Sequence, residues 1–174
     1  KYVVGIDEVG RGPIAGPVAV CAFITDDKQQ QMLWWEFSRS TKLPLRDSKK
    51  LTKIQREKWF EFLKQEKEKG NCNFAVTMVS AEWIDKVGIV RSIQKALDSS
   101  LSKIATQDYE NFSRLTPEGP YAMKNFHNPA SLSIFLDGGL KAPKEYVNQE
   151  TIIKGDELHP VISFASIVAK VTRD

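Results

Sequence analysis

The chain has 174 residues, 41% of them hydrophobic, with 25 basic against 22 acidic side chains, a net charge of +3 and an isoelectric point near 8.8. That length and apolar content suit one globular domain with a substantial core, and the mild basicity permits a polyanionic partner without proving one. No apolar window approaches the roughly 20 residues of a membrane span. No charged region followed by a hydrophobic segment opens the chain, and Cys21 and Cys72 lie in or beside apolar runs with no CxxC spacing. These features predict a cytosolic protein with reduced cysteines and no membrane association.

In chain order, Tyr2–Ile6 is a short apolar run that leads into Asp7 and Glu8 and then a glycine-rich turn, Val9-Gly10-Arg11-Gly12-Pro13. Val18–Ile24 is a second strand-like run, so the two predict an antiparallel hairpin. The polar stretch from Thr25 to Arg46 holds Met32-Leu33-Trp34-Trp35, expected as a surface loop folding two tryptophans back onto the core. Thr52 and Gln55 fit a capping box and start a helix with Trp59, Phe62 and Leu63 on one face and Gly70 as its stop. Phe74–Val79 predicts another strand. The following helix carries Ile89, Ile93, Leu97, Leu101 and Ile104 at helical spacing, which marks core. From Thr106 to Ala130 no period is sustained, and four prolines and glycines punctuate an expected insertion or flap. Leu132–Leu136 predicts a strand ending at Asp137, and Thr151–Ile153 one ending near Lys154-Gly155-Asp156; Pro160–Thr172 predicts a buried helix. An opening hairpin followed by strands separated by helices implies an α/β domain with a mixed sheet flanked by helices.

Carboxylates are the ligands that Mg²⁺ and Mn²⁺ prefer. An Asp-Glu pair at a strand end is often only solvated turn chemistry, but three strand ends aimed at one edge would gather Asp7, Glu8, Asp137 and Asp156 into one cluster. Four such acids suit two divalent ions about 3.5–4 Å apart, the arrangement that serves phosphodiester chemistry. The two histidines, His127 in the irregular stretch and His159 before a proline, are expected to be solvated or capping, so zinc and Ser-His-Asp chemistry are poorly supported. Between Lys42 and Lys53 lie five basic residues in twelve, either a solvated face or a seat for a phosphate backbone. Gly10-x-Gly12-x-x-Ala15 also matches a loose dinucleotide fingerprint, but that motif must open a helix, and here prolines and a β-rich run follow it.

The run Gly5–Val18, then Asp47-Ser48-Lys49-Lys50-Leu51, Asp137-Gly138, Lys154-Gly155-Asp156 and Ala165–Asp174, in that order, resembles the signature of the type 2 ribonuclease H family, ribonuclease HII. The resemblance implies a ribonuclease H-like fold. It also implies a metal-dependent endonuclease, using two Mg²⁺ or Mn²⁺ ions, that cuts the RNA strand of RNA-DNA hybrids. Such an enzyme also nicks on the 5′ side of single ribonucleotides in duplex DNA, leaving 3′-OH and 5′-phosphate ends. Asp7, Glu8, Asp137 and Asp156 match the family's metal-binding acids. Gly10, Arg11 and Gly12 match the residues that read the ribose 2′-OH, the group that separates RNA from DNA, and Lys49, Lys50, Ser166 and Lys170 match backbone-contact positions.

The chain is expected to be one catalytic domain over residues 1–174, a monomer, that lacks the family's C-terminal helices and their stacking tyrosine. None of Tyr2, Tyr109, Tyr121 and Tyr146 stands at that tyrosine's position, and Phe164 fills a site more often taken by a smaller residue. The alternatives are a nucleic-acid-binding remnant without catalysis and an unrelated two-metal nuclease that cuts all-DNA substrates equally well.

Overall fold

The computed structural model describes residues 1–12, 16–42, 50–111 and 129–174. Five strands, β1 (Tyr2–Val9), β2 (Val18–Asp26), β3 (Cys72–Val79), β4 (Ser133–Asp137) and β5 (Gln149–Ile152), form one sheet in the order β3-β2-β1-β4-β5. β1 pairs antiparallel with β2 and parallel with β4, and β4 pairs parallel with β5. The expected hairpin and mixed sheet are therefore both present. The central strand β1 has both faces covered, which explains the unbroken apolar stretch from Val3 to Ile6.

Helices fill both faces. On one, α4 (Ile89–Asn111) buries Ile93, Leu97, Leu101 and Ile104 against Val4, Ile6, Val20 and Ala22. On the other, α6 (Pro160–Arg173) is buried from Val161 to Ala169, apolar around most of its circumference because β1 and β2 lie beneath it and α1 (Asp27–Thr41) and α2 (Lys53–Glu68) lie beside it. Helix α6 approaches β1 so closely that a Cβ on Gly5 would meet the Val161 carbonyl and stand 2.7 Å from the Ile162 amide nitrogen. Phe164, the large residue noted in the sequence, is accommodated between Phe23 and Trp59, with ring centroids 5.2 and 5.8 Å away.

The capping box at Thr52 and Gln55 is formed from both sides, and α2 buries Trp59 and Leu63 as its stripe predicts. The stretch after β2 is not the expected loop. It is helix α1, N-capped by Asp26, whose side chain accepts from the Lys28 amide. Leu33 and Phe37, four residues apart, supply its inward stripe, while Trp34 and Trp35 remain 44% and 61% exposed rather than folding onto the core. A narrow stripe among polar residues explains why the period is faint. A short α3 (Ala81–Val87), ended by Gly88 at φ 86°, precedes α4, and α4 runs on through 106–111, where no helix was expected. Residues 112–128, which hold His127 and Tyr121, lie outside the described residues, as does 43–49 with most of the basic run and Lys49. Both cysteines are buried and free. Among the described residues no helix is long and apolar enough to cross a membrane.

Candidate functional site

The parallel pairing of β1 with β4, Ile6 opposite Leu136, puts the next residue of each strand, Asp7 and Asp137, side by side at one sheet edge. Asp156 arrives differently from expectation. Strand β5 ends at Ile152, and Asp156 sits in the short helix α5 (Gly155–Leu158) that follows. Two contacts fix it there. The Gly155 amide donates to Asp137 Oδ1 at 2.7 Å, and the Ser163 hydroxyl donates to the Asp156 carbonyl at 2.5 Å. Gly155 packs closely here: a Cβ would lie 2.5 Å from Ile162 Cδ1, so that side-chain tip would have to shift to admit one.

Asp7, Asp137 and Asp156 each bring a carboxylate oxygen within 4.8 Å of the others. Opposite ligands of an Mg²⁺ ion stand about 4.2 Å apart at ordinary bond lengths, so the three acids frame a space of ionic size. Asp7 is 4% exposed and Asp156 3%. Burial pushes the Asp7 carboxyl well above the usual carboxylate range; a hydrogen bond from Ser166 works against this, and the charges of Glu8, Asp137 and Asp156 push further upward. A buried group of like charges made only of hard oxygen donors fits a divalent cation, which would offset the repulsion.

Glu8 is the neighbour of Asp7 in sequence but not a member of this triad. Successive residues of a strand face opposite ways, and the Glu8 carboxylate is met instead by the Arg11 guanidinium at 3.2 Å. Asp7, Glu8 and Asp137 open into a cavity of about 390 Å³, lined also by Val9–Gly12, Ser166, Lys170 and Arg173. Gly10, at φ 109°, is conformationally required, and its missing Cβ leaves room for the Pro17 carbonyl and for Arg173 Nε, which would lie 2.6 and 3.4 Å from such a carbon. Gly12 is exposed and faces open space.

Of the remaining predicted residues, Ser166 is buried and its hydroxyl serves Asp7. Lys170 lines the cavity one turn further along α6. Lys50 forms an ion pair with Glu157 at 2.8 Å, tying the basic run to the helix that carries Asp156. Sequence reasoning missed Arg173 as a cavity residue; its position seven after Ser166 and three after Lys170 puts all three on one face of α6. His159 stands at the N-cap of α6, as a capping residue would, but caps through its carbonyl and not its side chain; the half-buried ring stacks on Phe135 with centroids 4.2 Å apart, and burial lowers its pKa.

A mixed five-stranded sheet flanked by helices, with acids converging at the ends of β1 and β4, defines a ribonuclease H-like fold. The chain belongs to the ribonuclease HII family, whose pattern it matches over residues 4–174. It is 33% identical over its whole length to Ribonuclease HII of Fusobacterium nucleatum, of which it covers 65%. Among solved structures, the ribonuclease H2 of Pyrococcus horikoshii is 26% identical, with a TM-score of 0.53 covering 100% of this chain and 72% of that one. Bst-RNase HIII in complex with Mn²⁺ is 18% identical, with a TM-score of 0.64 over 99% of this chain and 51% of that one, a likeness of fold. The chain spans about half to two thirds of the length of the curated relatives it matches.

Proposed function

We propose that the chain carries the catalytic centre of a divalent-metal endonuclease that hydrolyses the RNA strand of RNA-DNA hybrids and nicks on the 5′ side of single ribonucleotides in duplex DNA. The observation that carries this reading is a cluster of three carboxylate oxygens within 4.8 Å of one another, two of whose residues, Asp7 and Asp137, line one cavity with the Gly10-Arg11-Gly12 turn and the cations of α6. Asp7, Asp137 and Asp156, joined by Glu8, would hold Mg²⁺ or Mn²⁺. When bound, such ions polarise the phosphodiester and lower the pKa of an attacking water. Mn²⁺ is present in the Bst-RNase HIII structure that shares this fold.

The chain's own residues divide the remaining work. Ser166 and the Glu8 amide, the latter at 2.8 Å, orient the Asp7 carboxylate. The backbone at Gly10 and Gly12, with no Cβ in the way, can approach a ribose closely enough to read its 2′-OH. Arg11, Lys170 and Arg173 line the same cavity and match the charge of a sugar-phosphate strand. Lys50, held beside the site by Glu157, adds a cation on the α5 side.

The test is cleavage of a DNA duplex containing one ribonucleotide, with Mg²⁺ or Mn²⁺, beside an all-DNA duplex and a chelator control. A single metal-dependent nick 5′ of the ribonucleotide, leaving 3′-OH and 5′-phosphate ends, is expected. Salt-dependent binding of the duplex by the folded protein with no cleavage would overturn the catalytic reading in favour of a binding remnant, and equal cutting of all-DNA substrate would overturn the role of the glycine turn.

A further inference from the structure

We propose that Arg56 is a positioning residue for nucleic-acid binding: from the first turns of α2 it pins the end of the basic run, so that the Lys50 ammonium stands at a fixed place beside Asp156 as a contact for a substrate phosphate. The inference rests on the reading of the chain as a nuclease that binds RNA-DNA hybrids.

Arg56 follows the N-cap Thr52 by four residues, and its side chain turns back past the helix start rather than out to solvent. Nη1 donates to the Leu51 carbonyl at 2.6 Å, and Nη2 lies 3.8 Å from Asp174 Oδ2, just past the end of α6. The Arg56 side chain is only 13% exposed. A guanidinium keeps its charge when buried, so a burial this deep needs acceptors held in place around it. Arg56 thereby joins the last residues of the basic run to the start of α2 and to the end of α6, the helix that carries Lys170 and Arg173.

The Leu51 side chain is buried in the same core cluster as Trp59 and Phe164. With its side chain and its carbonyl both held, Leu51 has little backbone freedom, and Lys50 starts from a fixed point. The Lys50 ammonium lies 2.8 Å from Glu157, the neighbour of Asp156, while its side chain stays 54% exposed and open to a strand at the site. A lysine on a loose loop loses backbone and rotamer freedom when it meets a phosphate, and one on a held backbone loses less. An exposed ion pair such as Lys50–Glu157 is worth little by itself, so the buried guanidinium behind the run is what fixes the position.

Fluorescence anisotropy of a labelled RNA-DNA hybrid, titrated with the full chain in chelator at several salt concentrations, tests this apart from cleavage. Arg56→Lys keeps the net charge but loses the fork that reaches carbonyl and carboxylate together. It is expected to weaken binding about fivefold, the size of one ordinary hydrogen bond. It should also reduce the slope of log affinity against log salt by about one, the mark of one lost phosphate contact. Because charge is conserved and position 56 is buried, that drop reports Lys50. Lys50→Gln should cause similar losses in the native chain and, in the Arg56→Lys background, a further loss of less than about twofold. Equal losses from Lys50→Gln in both backgrounds, or native affinity and slope in Arg56→Lys, overturn the proposal. A second measurement leaves Arg56 unchanged: its Nη protons in the native chain should give slowly exchanging NMR signals that persist when hybrid binds. Signals that vanish on adding hybrid would show Arg56 leaving its anchor and also overturn the proposal. Failure of the underlying reading looks different. A native chain that binds no hybrid overturns both, whereas one that binds with the pattern above but does not cleave overturns the catalytic reading and sustains the role of Arg56.

Discussion

Replacing Asp7 by Asn should make the metal-free protein more stable and the metal-loaded protein less so. Asn keeps an oxygen that can accept from the Glu8 amide and the Ser166 hydroxyl, so the change removes charge and little else. Two full charges 4.8 Å apart, the outer limit within the triad, repel by about 3.5 kcal/mol at an effective dielectric constant near 20. Burial first, and its acidic neighbours after it, raise the Asp7 pKa, which relieves part of that cost. The expected gain for Asp7→Asn in chelator at neutral pH is therefore smaller, about 1–2 kcal/mol, or roughly 2–8 °C in Tm for a domain of this size. Metal at a hundredfold excess over its Kd should stabilise the native chain by about 2.7 kcal/mol and the variant by far less, reversing their order. The pH dependence follows with a definite sign. Because Asp7 titrates higher when folded than when unfolded, the metal-free native chain loses stability as pH rises from about 4 toward the folded pKa, and then levels off. The variant lacks that slope. Thermal unfolding across pH, with chelator and with Mn²⁺, measures all of this. A variant less stable than the native chain in chelator, or equally stabilised by metal, would refute the like-charge account of the cluster.

Gly5→Ala should cost about 3 kcal/mol or more, the upper range of overpacking, because the added carbon meets the backbone of α6 at Val161 and Ile162, which cannot rotate away; chemical denaturation measures it, and a loss under 1 kcal/mol would contradict the close approach. His159, half-buried against Phe135 with its pKa lowered by burial, favours folding only when neutral, so stability should fall as pH drops below about 6.5 toward the folded pKa. His159→Phe should remove that part of the acid sensitivity, as read by denaturation midpoints between pH 5 and 8. Thr52→Ala, which deletes the side-chain half of a complete capping box, should destabilise by about 1 kcal/mol without changing the affinity for Mn²⁺, and a changed metal affinity would count against the separation of α2 from the site.

Sequence alone determined the local and periodic features. The hairpin was legible because two β-rich runs flank a glycine turn, α2 because its capping box is written in two residues, and α4 because five aliphatics keep a helical period over sixteen positions. The candidate acids were legible for a similar reason, as each follows an apolar run that must end at a sheet edge. Helix α1 was not, since only Leu33 and Phe37 mark its inner face and its two tryptophans are on the outer one. Tertiary structure decided what depends on neighbours distant in the chain. Parallel pairing set Asp7 beside Asp137, a helix rather than a strand end delivered Asp156, and burial against α6 gave Asp7 its raised pKa and its bond to Ser166. It also sent Glu8 to Arg11 instead of to the other acids. A sequence lists the carboxylates, but their mutual distances and their desolvation arise only when the sheet and the buried helix close around them.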